Sequence, residues 1–269
     1  MAEPAKLAVT NQKGGVGKTT VAVNVAGAIA DRGHDVLFVD LDPQGNATEN
    51  LGMMDAYDEQ PPSLFDVLTK PEKRDEITNI MRTHPEMGID VVPSNIDMTQ
   101  AERELTLSRR GAEQLSLALD GVEDEYDYVL VDCPPNLGDL VDNALYATRN
   151  VLIPALAETT SKRAFELLHD HIAMLEGDYK DEELSIREVG VVTNRIDVRK
   201  KQAKEMVEWI NEAYPDVPVW EIRERAAIQR SLDEGASLFE VEPECDQLTT
   251  FEEIAASLDE QFGLAEVTA

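Results

Sequence analysis

Residues 11–20 read NQKGGVGKTT. The usual phosphate-binding loop, G-x-x-x-x-G-K-[ST], needs one lysine. This stretch has two, Lys13 and Lys18. Gly17, Lys18 and Thr19 fit the second half of the pattern, but its first glycine would fall at position 12, where the chain has Gln12. Before the loop, KLAVT (6–10) is a short β-rich run. After it, 19–32 has helical spacing and stops at Gly33, a natural C-cap. Strand, glycine loop and helix in that order make an anion site. Gly14, Gly15, Val16 and Gly17 let backbone N–H groups turn inward, and the helix N-terminus adds partial positive charge. In such a loop Lys18 reaches the β- and γ-phosphates and the Thr19 hydroxyl ligates Mg²⁺.

The same alternation continues outward. Strand-like runs fall at 6–10, 35–40, 89–93, 127–132, 150–156, 188–194 and 217–222. Several are almost wholly apolar, as strands buried on both faces of a parallel sheet must be. Helical spacing covers 98–119, 138–148, 162–176, 200–213, 226–234 and 248–262. The expected fold is α/β: a doubly wound, mostly parallel sheet with helices on both faces, forming a single domain over residues 1–269. GMMDAYDEQPPS (52–63) is expected to be a flexible loop, and 263–269 to fray.

Acids number 54 against 24 bases, a net charge of −30, and only 10 of the bases are lysine. This reads as adaptation to high intracellular salt, with an acidic surface for a basic partner as the alternative. Cys133 and Cys245 are far apart and form no C-x-x-C, so neither a zinc ribbon nor a disulfide framework is indicated. The start, MAEPAKLAVT, has no basic leader pattern, and no run approaches a membrane span. A cytoplasmic protein is expected.

KGGVGKTT (13–20) resembles the deviant Walker A motif of the ParA/MinD family of P-loop ATPases. The resemblance implies that Gly14 to Thr20, Thr20 included, bind ATP in one subunit. Lys13 would cross a dimer interface to the phosphates held by the other. Two further segments match. In FVDLDPQGNAT (38–48) the resemblance makes Asp42 the residue that positions the attacking water, with Asp40 supporting the magnesium shell. YVLVDCPPNLG (128–138) resembles a Walker B strand and second switch, with Asp132 holding magnesium through water. Related nitrogenase iron proteins carry a cluster on paired cysteines. Cys133 has no such partner and is read as a small buried residue.

The likeness runs along nearly the whole chain. VVPSNIDMTQAERELT (91–106) resembles the middle of ParA/Soj partition ATPases. VVTNRID (191–197) resembles the strand end beside the adenine, which makes Asn194 a base contact. At Ile222-Arg223-Glu224 many Soj-like members have Pro-Arg-Asn, so the second adenine contact stays unassigned. The C-terminal FEEIAASLDEQFGLAEVTA carries no base, unlike the basic membrane helix of MinD-type proteins, and no membrane partner is expected. Residues 195–230 hold eight bases against seven acids, whereas the remainder holds 16 against 47. These eight, Arg195, Arg199, Lys200, Lys201, Lys204, Arg223, Arg225 and Arg230, are either a DNA-phosphate patch or solvated bases paired with nearby acids. The resemblance implies an ATP-dependent homodimer that binds double-stranded DNA nonspecifically on the nucleoid and is released by a ParB-like partner. A MinD-like positioning ATPase and a non-hydrolysing ATP switch are the alternatives.

Overall fold

The structure, a computed structural model, describes residues 3–108, 110–196 and 201–264; Arg199 and Lys200 lie outside them, as do residues 265–269 of the expected frayed tail. Eight strands, β1 (Ala5–Val9), β2 (Val36–Asp40), β3 (Arg82–Thr83), β4 (Asp90–Val92), β5 (Tyr128–Asp132), β6 (Asn150–Leu156), β7 (Arg187–Ile196) and β8 (Val219–Arg223), form one sheet in the order β3-β4-β2-β5-β1-β6-β7-β8. Every pairing is parallel except β3 with β4. The seven expected strands are all present. The two-residue antiparallel β3 is additional.

Strand side chains alternate between two cores. Leu7, Val9, Phe38 and Leu130 join one, while Ala8, Leu37, Val39, Val129 and Val131 join the other. Helices α1 (Lys18–Asp31), α2 (Asn46–Asn50), α3 (Met54–Tyr57), α4 (Leu64–Thr69), α5 (Ile77–Ile80), α6 (Ala101–Thr106), α7 (Gln114–Leu119), α8 (Asp139–Thr148), α9 (Ser161–Asp178), α10 (Lys201–Ala213), α11 (Ala226–Asp233), α12 (Leu238–Val241) and α13 (Leu248–Phe262) are joined by several 3-10 turns. α1 and α11–α13 cover the first core; α4 and α6–α10 cover the second.

Two expectations are corrected. The helix expected over 98–119 is broken into α6 and α7; in the break Gly111 packs closely on the end of α6, where a Cβ would lie 2.6 Å from the Leu105 carbonyl oxygen. The segment 52–63, expected as a loop, contains α3, buries Met53 and Ala56, and donates the Tyr57 hydroxyl to the Pro43 carbonyl at 2.8 Å.

At the N-terminal end of the strands, α13 is fastened to α1 and β5. Arg32 Nε and the Tyr128 hydroxyl each donate to the buried Asp259 carboxylate at 2.7 Å, and the His34 ring lies 3.1 Å from it. Burial pushes the Asp259 carboxyl up, but the hydrogen bonds from Tyr128, Arg32 and His34 together outweigh it and hold the group below the usual carboxylate range.

Candidate active site

The strand order brings together segments far apart in sequence. In the ladders Val9 sits beside Asp132, and Asp132 beside Asp40. The loops leaving β1, β2 and β5 therefore meet at the C-terminal edge of the sheet, where open α/β sheets bind ligands.

In the first loop, Asn11 donates to the Pro154 carbonyl at 2.7 Å and accepts from the Lys13 amide at 3.1 Å. Gly14 and Gly15 face open space. Gly17 ends the loop at φ +85° and N-caps α1. It is also crowded, because a Cβ there would lie 2.0 Å from Asn194 Nδ2. Gly17→Ala is accordingly expected to lower stability by about 1–3 kcal/mol from left-handed strain alone. It should also push Asn194 off the loop. Thermal unfolding without nucleotide measures it, and an unchanged Tm would mean that the loop relaxes freely.

Lys18 is buried at the start of α1. Burial lowers its pKa, and the charges of Asp132, Cys133 and Asp42 oppose that shift. The next residue, Thr19, donates its hydroxyl to Asp132 Oδ2 at 2.7 Å. The other oxygen, Asp132 Oδ1, is buried with no hydrogen-bond partner. Burial, reinforced by Asp40, pushes the Asp132 carboxyl well above the usual range. An orphaned carboxylate oxygen beside a helix-terminal hydroxyl fits a hydrated divalent cation, which would supply the missing charge and donors.

Asp40 is fully buried, and its hydrogen bonds go to its own loop. It accepts from the Thr48 amide (2.8 Å), the Thr48 hydroxyl (2.7 Å) and the Asp42 amide (3.1 Å). Burial raises its pKa to about 7 despite these donors. Asp40 therefore shapes the turn that carries Asp42. Asp42 accepts from the Gln44 amide at 2.9 Å and from Asn46 Nδ2 at 3.4 Å.

Lys13 goes elsewhere. Its ammonium donates to Glu158 Oε2 and Thr160 Oγ1, both at 2.7 Å, in the turn between β6 and α9. Neither partner was legible beforehand, since 145 residues separate Lys13 from Glu158. The one signal was that AETT (157–160) follows the apolar run of a strand.

Asn194 donates to the Val16 carbonyl at 3.2 Å and accepts from the Arg195 amide at 2.8 Å. It also lines a cleft of about 490 Å³ with Thr20, Arg195, Arg223, Arg225 and Gln229. Three bases of the expected DNA patch thus border the cleft next to the phosphate loop. Among the described bases of that patch, Arg223 and Arg225 share Asp246, Arg230 pairs with Glu242, and Lys201 with Glu205. Lys201 and Lys204 are exposed on α10. A larger cavity, about 670 Å³, contains Lys6, Arg149 and Phe262 but no residue of the glycine loop. Cys133 is buried, as expected.

A buried lysine, a glycine loop open to solvent, an aspartate oxygen without a partner and an adjoining cleft lie together at this edge of the sheet, an arrangement suited to a nucleoside triphosphate. Residues 5–186 match the family described as AAA domain. The chain is 35% identical over 210 residues to the sporulation initiation inhibitor protein Soj of Bacillus subtilis, covering 78% of this chain and 80% of that one. It is 30% identical over 253 residues to the chromosome-partitioning ATPase Soj of Treponema pallidum, covering 94% and 96%. A solved structure of cobyrinic acid a,c-diamide synthase from Mycobacterium smegmatis, with bound ATP analogue and magnesium, superposes with a TM-score of 0.80 at 27% identity, over 96% and 95% of the two chains. The chain belongs to the ParA/Soj family of partition ATPases, and it is an ATPase.

Proposed function

We propose that this ATPase is a DNA-partition switch. ATP and Mg²⁺ close two copies into a sandwich dimer, the dimer holds double-stranded DNA without regard to sequence, and a ParB-like partner releases it by stimulating hydrolysis. The whole chain acts as one ATPase domain on the nucleoid. The observation that carries this reading is the division between the two lysines. Lys18 is buried inside its own phosphate loop, while Lys13 rests on Glu158 and Thr160. A loop that keeps one cation in reserve suits a site completed by a second copy.

Each residue has a part. Lys18 and the loop amides from Gly14 to Thr20 bind the phosphates. Asn194 borders the nucleoside. Thr19 and, through water, Asp132 would hold Mg²⁺, which neutralises phosphate charge. Asp42 orients the attacking water, and Asp40 keeps the 41–48 turn in shape for it. Lys13 of the other copy stabilises charge on the γ-phosphoryl group, in an environment where fixed cations act strongly. DNA release follows from the lower affinity of the hydrolysed state, as a population shift requires. No helix among the described residues is long and apolar enough to cross a membrane.

Exposed ion pairs are weak, so the pairing of Arg223, Arg225, Arg230 and Lys201 with acids leaves them able to exchange onto phosphates. A chain of net charge −30 resists DNA, and high salt weakens phosphate contacts further, so the decisive measurement compares apo, ADP and ATP states across KCl up to molar concentration. DNA binding confined to the ATP state supports the proposal. Binding to anionic liposomes instead of DNA replaces it with a membrane-positioning role. Changing Arg199, Lys200 and Lys201 to glutamate should abolish DNA binding at moderate salt and leave DNA-free hydrolysis intact. Any residual binding should have a log–log salt slope shallower by about 2–3. An unaltered salt profile would place the DNA contacts on another surface.

A further inference from the structure

One segment touches both the turn after β2 and the start of α8, beyond β5. At its start, just after β4, the Ser94 hydroxyl donates to the Asp42 carbonyl at 2.7 Å, and the Ser94 amide donates to the Thr48 hydroxyl at 2.9 Å. That hydroxyl is the one bonded to Asp40. Asn95 then donates to the carbonyls of Tyr57 and Glu59. Seven residues on, in α6, Glu102 accepts from the Asp139 amide at 2.9 Å and the Leu140 amide at 3.5 Å. These are the first amides of α8, the helix that follows the Asp132–Gly138 loop.

The contact is specific. Gly138, the N-cap of α8, has no side chain to offer those amides, and a Cβ on it would lie 2.9 Å from Glu102 Oε2. The residue before the helix is bare, and the cap comes from 37 positions away in sequence. A carboxylate is the strongest such cap, since it meets both the free N–H groups and the helix dipole. Thr106, one turn further along α6, donates to the Asp139 side chain. Between the two ends the segment is helical and packed. Ile96–Gln100 is a 3-10 turn running directly into α6, and Met98, Ala101 and Leu105 are buried in the core.

We propose that residues 94–106 are a rigid strap that moves the Asp42-bearing turn and the Asp132–Gly138 loop together, with Glu102 as the positioning residue at the second loop. This rests on the proposed hydrolytic roles of Asp42 and Asp132. When ATP draws either loop inward, the strap carries the other with it, so water positioning and metal binding are set in one step. Glu102 touches no substrate. It acts through the backbone of α8.

The test uses the full chain. Glu102→Ala is expected to lower kcat for ATP hydrolysis about tenfold, with KM within twofold of wild type, a misplacement effect rather than a binding one. Glu102→Gln keeps one accepting oxygen and should recover part of the loss. Gly138→Ala evicts the carboxylate while leaving Glu102 in the sequence and should match Glu102→Ala; if one of the two variants folds poorly, the other still carries the test. Hydrogen exchange at Asp139 and Leu140 should rise in both alanine variants. In wild type, ATP should protect 42–48 and 133–140 together; in the variants the two should separate. Lost protection at 139–140 with unchanged kcat overturns the strap, and so does retained protection. Asp42→Ala in the same assay guards the underlying reading. If that variant hydrolyses normally, the assignment of Asp42 fails, while joint or separate protection of the two loops still decides the strap.

Discussion

Lys18→Ala should abolish measurable nucleotide binding, with the affinity for ATP falling by at least about 100-fold, equivalent to some 3 kcal/mol. Asp40, Asp42 and Asp132 are all buried around the phosphate loop, and Lys18 is the cation whose charge couples to Asp132 and Asp42. Removing it leaves carboxylates facing a triphosphate with one less positive group between them. Titration with a fluorescent nucleotide measures the loss. Lys18→Arg should not restore it, because a planar guanidinium does not fit a site built for a compact ammonium. Thermal unfolding without nucleotide is the control for folding. Affinity within about threefold of wild type would remove Lys18 from this role.

Lys13→Ala should behave differently. ATP binding by the monomer should be nearly normal, since Lys18 and the loop amides still hold the phosphates. Dimerisation and turnover should both fail, with turnover down about 10³-fold, the scale of a trans-acting cation in phosphoryl transfer. Asp42→Ala alone should bind ATP, stop hydrolysis and persist as a dimer on size-exclusion chromatography. The sharper experiment mixes the two variants. In a mixed dimer the Lys13→Ala subunit keeps its own Asp42 and receives an intact Lys13 from the other copy. One complete site results, and turnover that neither variant shows alone should return. Crosslinking of tagged subunits verifies that mixed dimers form. Mixed dimers without activity would assign Lys13 to its own subunit, where Glu158 and Thr160 already hold it.

Much of this frame was legible in the amino-acid order. Strands buried on both faces announce themselves as apolar runs, so β1, β2, β5, β6 and β7 could be located before any coordinates. The glycine loop carries its own signature, because few other arrangements need Gly14, Gly15 and Gly17 ahead of Lys18 and Thr19. What stayed hidden was short or depended on distant partners. β3 has two residues and no pattern. The helical spacing over 98–119 continued through Gly111, whose effect depends on the Leu105 carbonyl above it. Asp40 was expected to support the magnesium shell beside Asp42, yet all three of its hydrogen bonds go to its own turn. Glu102, Ser94 and Glu158 act across chain separations that periodicity cannot sense.

The anchorage of α13 bears on how such a protein can change over generations. Arg32, Tyr128 and Asp259 grip α1 at the end opposite Lys18 and Thr19. The helix spans about 20 Å between them. Fastening and chemistry thus sit at opposite ends of one rod. Substitutions around Asp259 should therefore change thermal stability more than nucleotide affinity, and substitutions in the glycine loop the reverse.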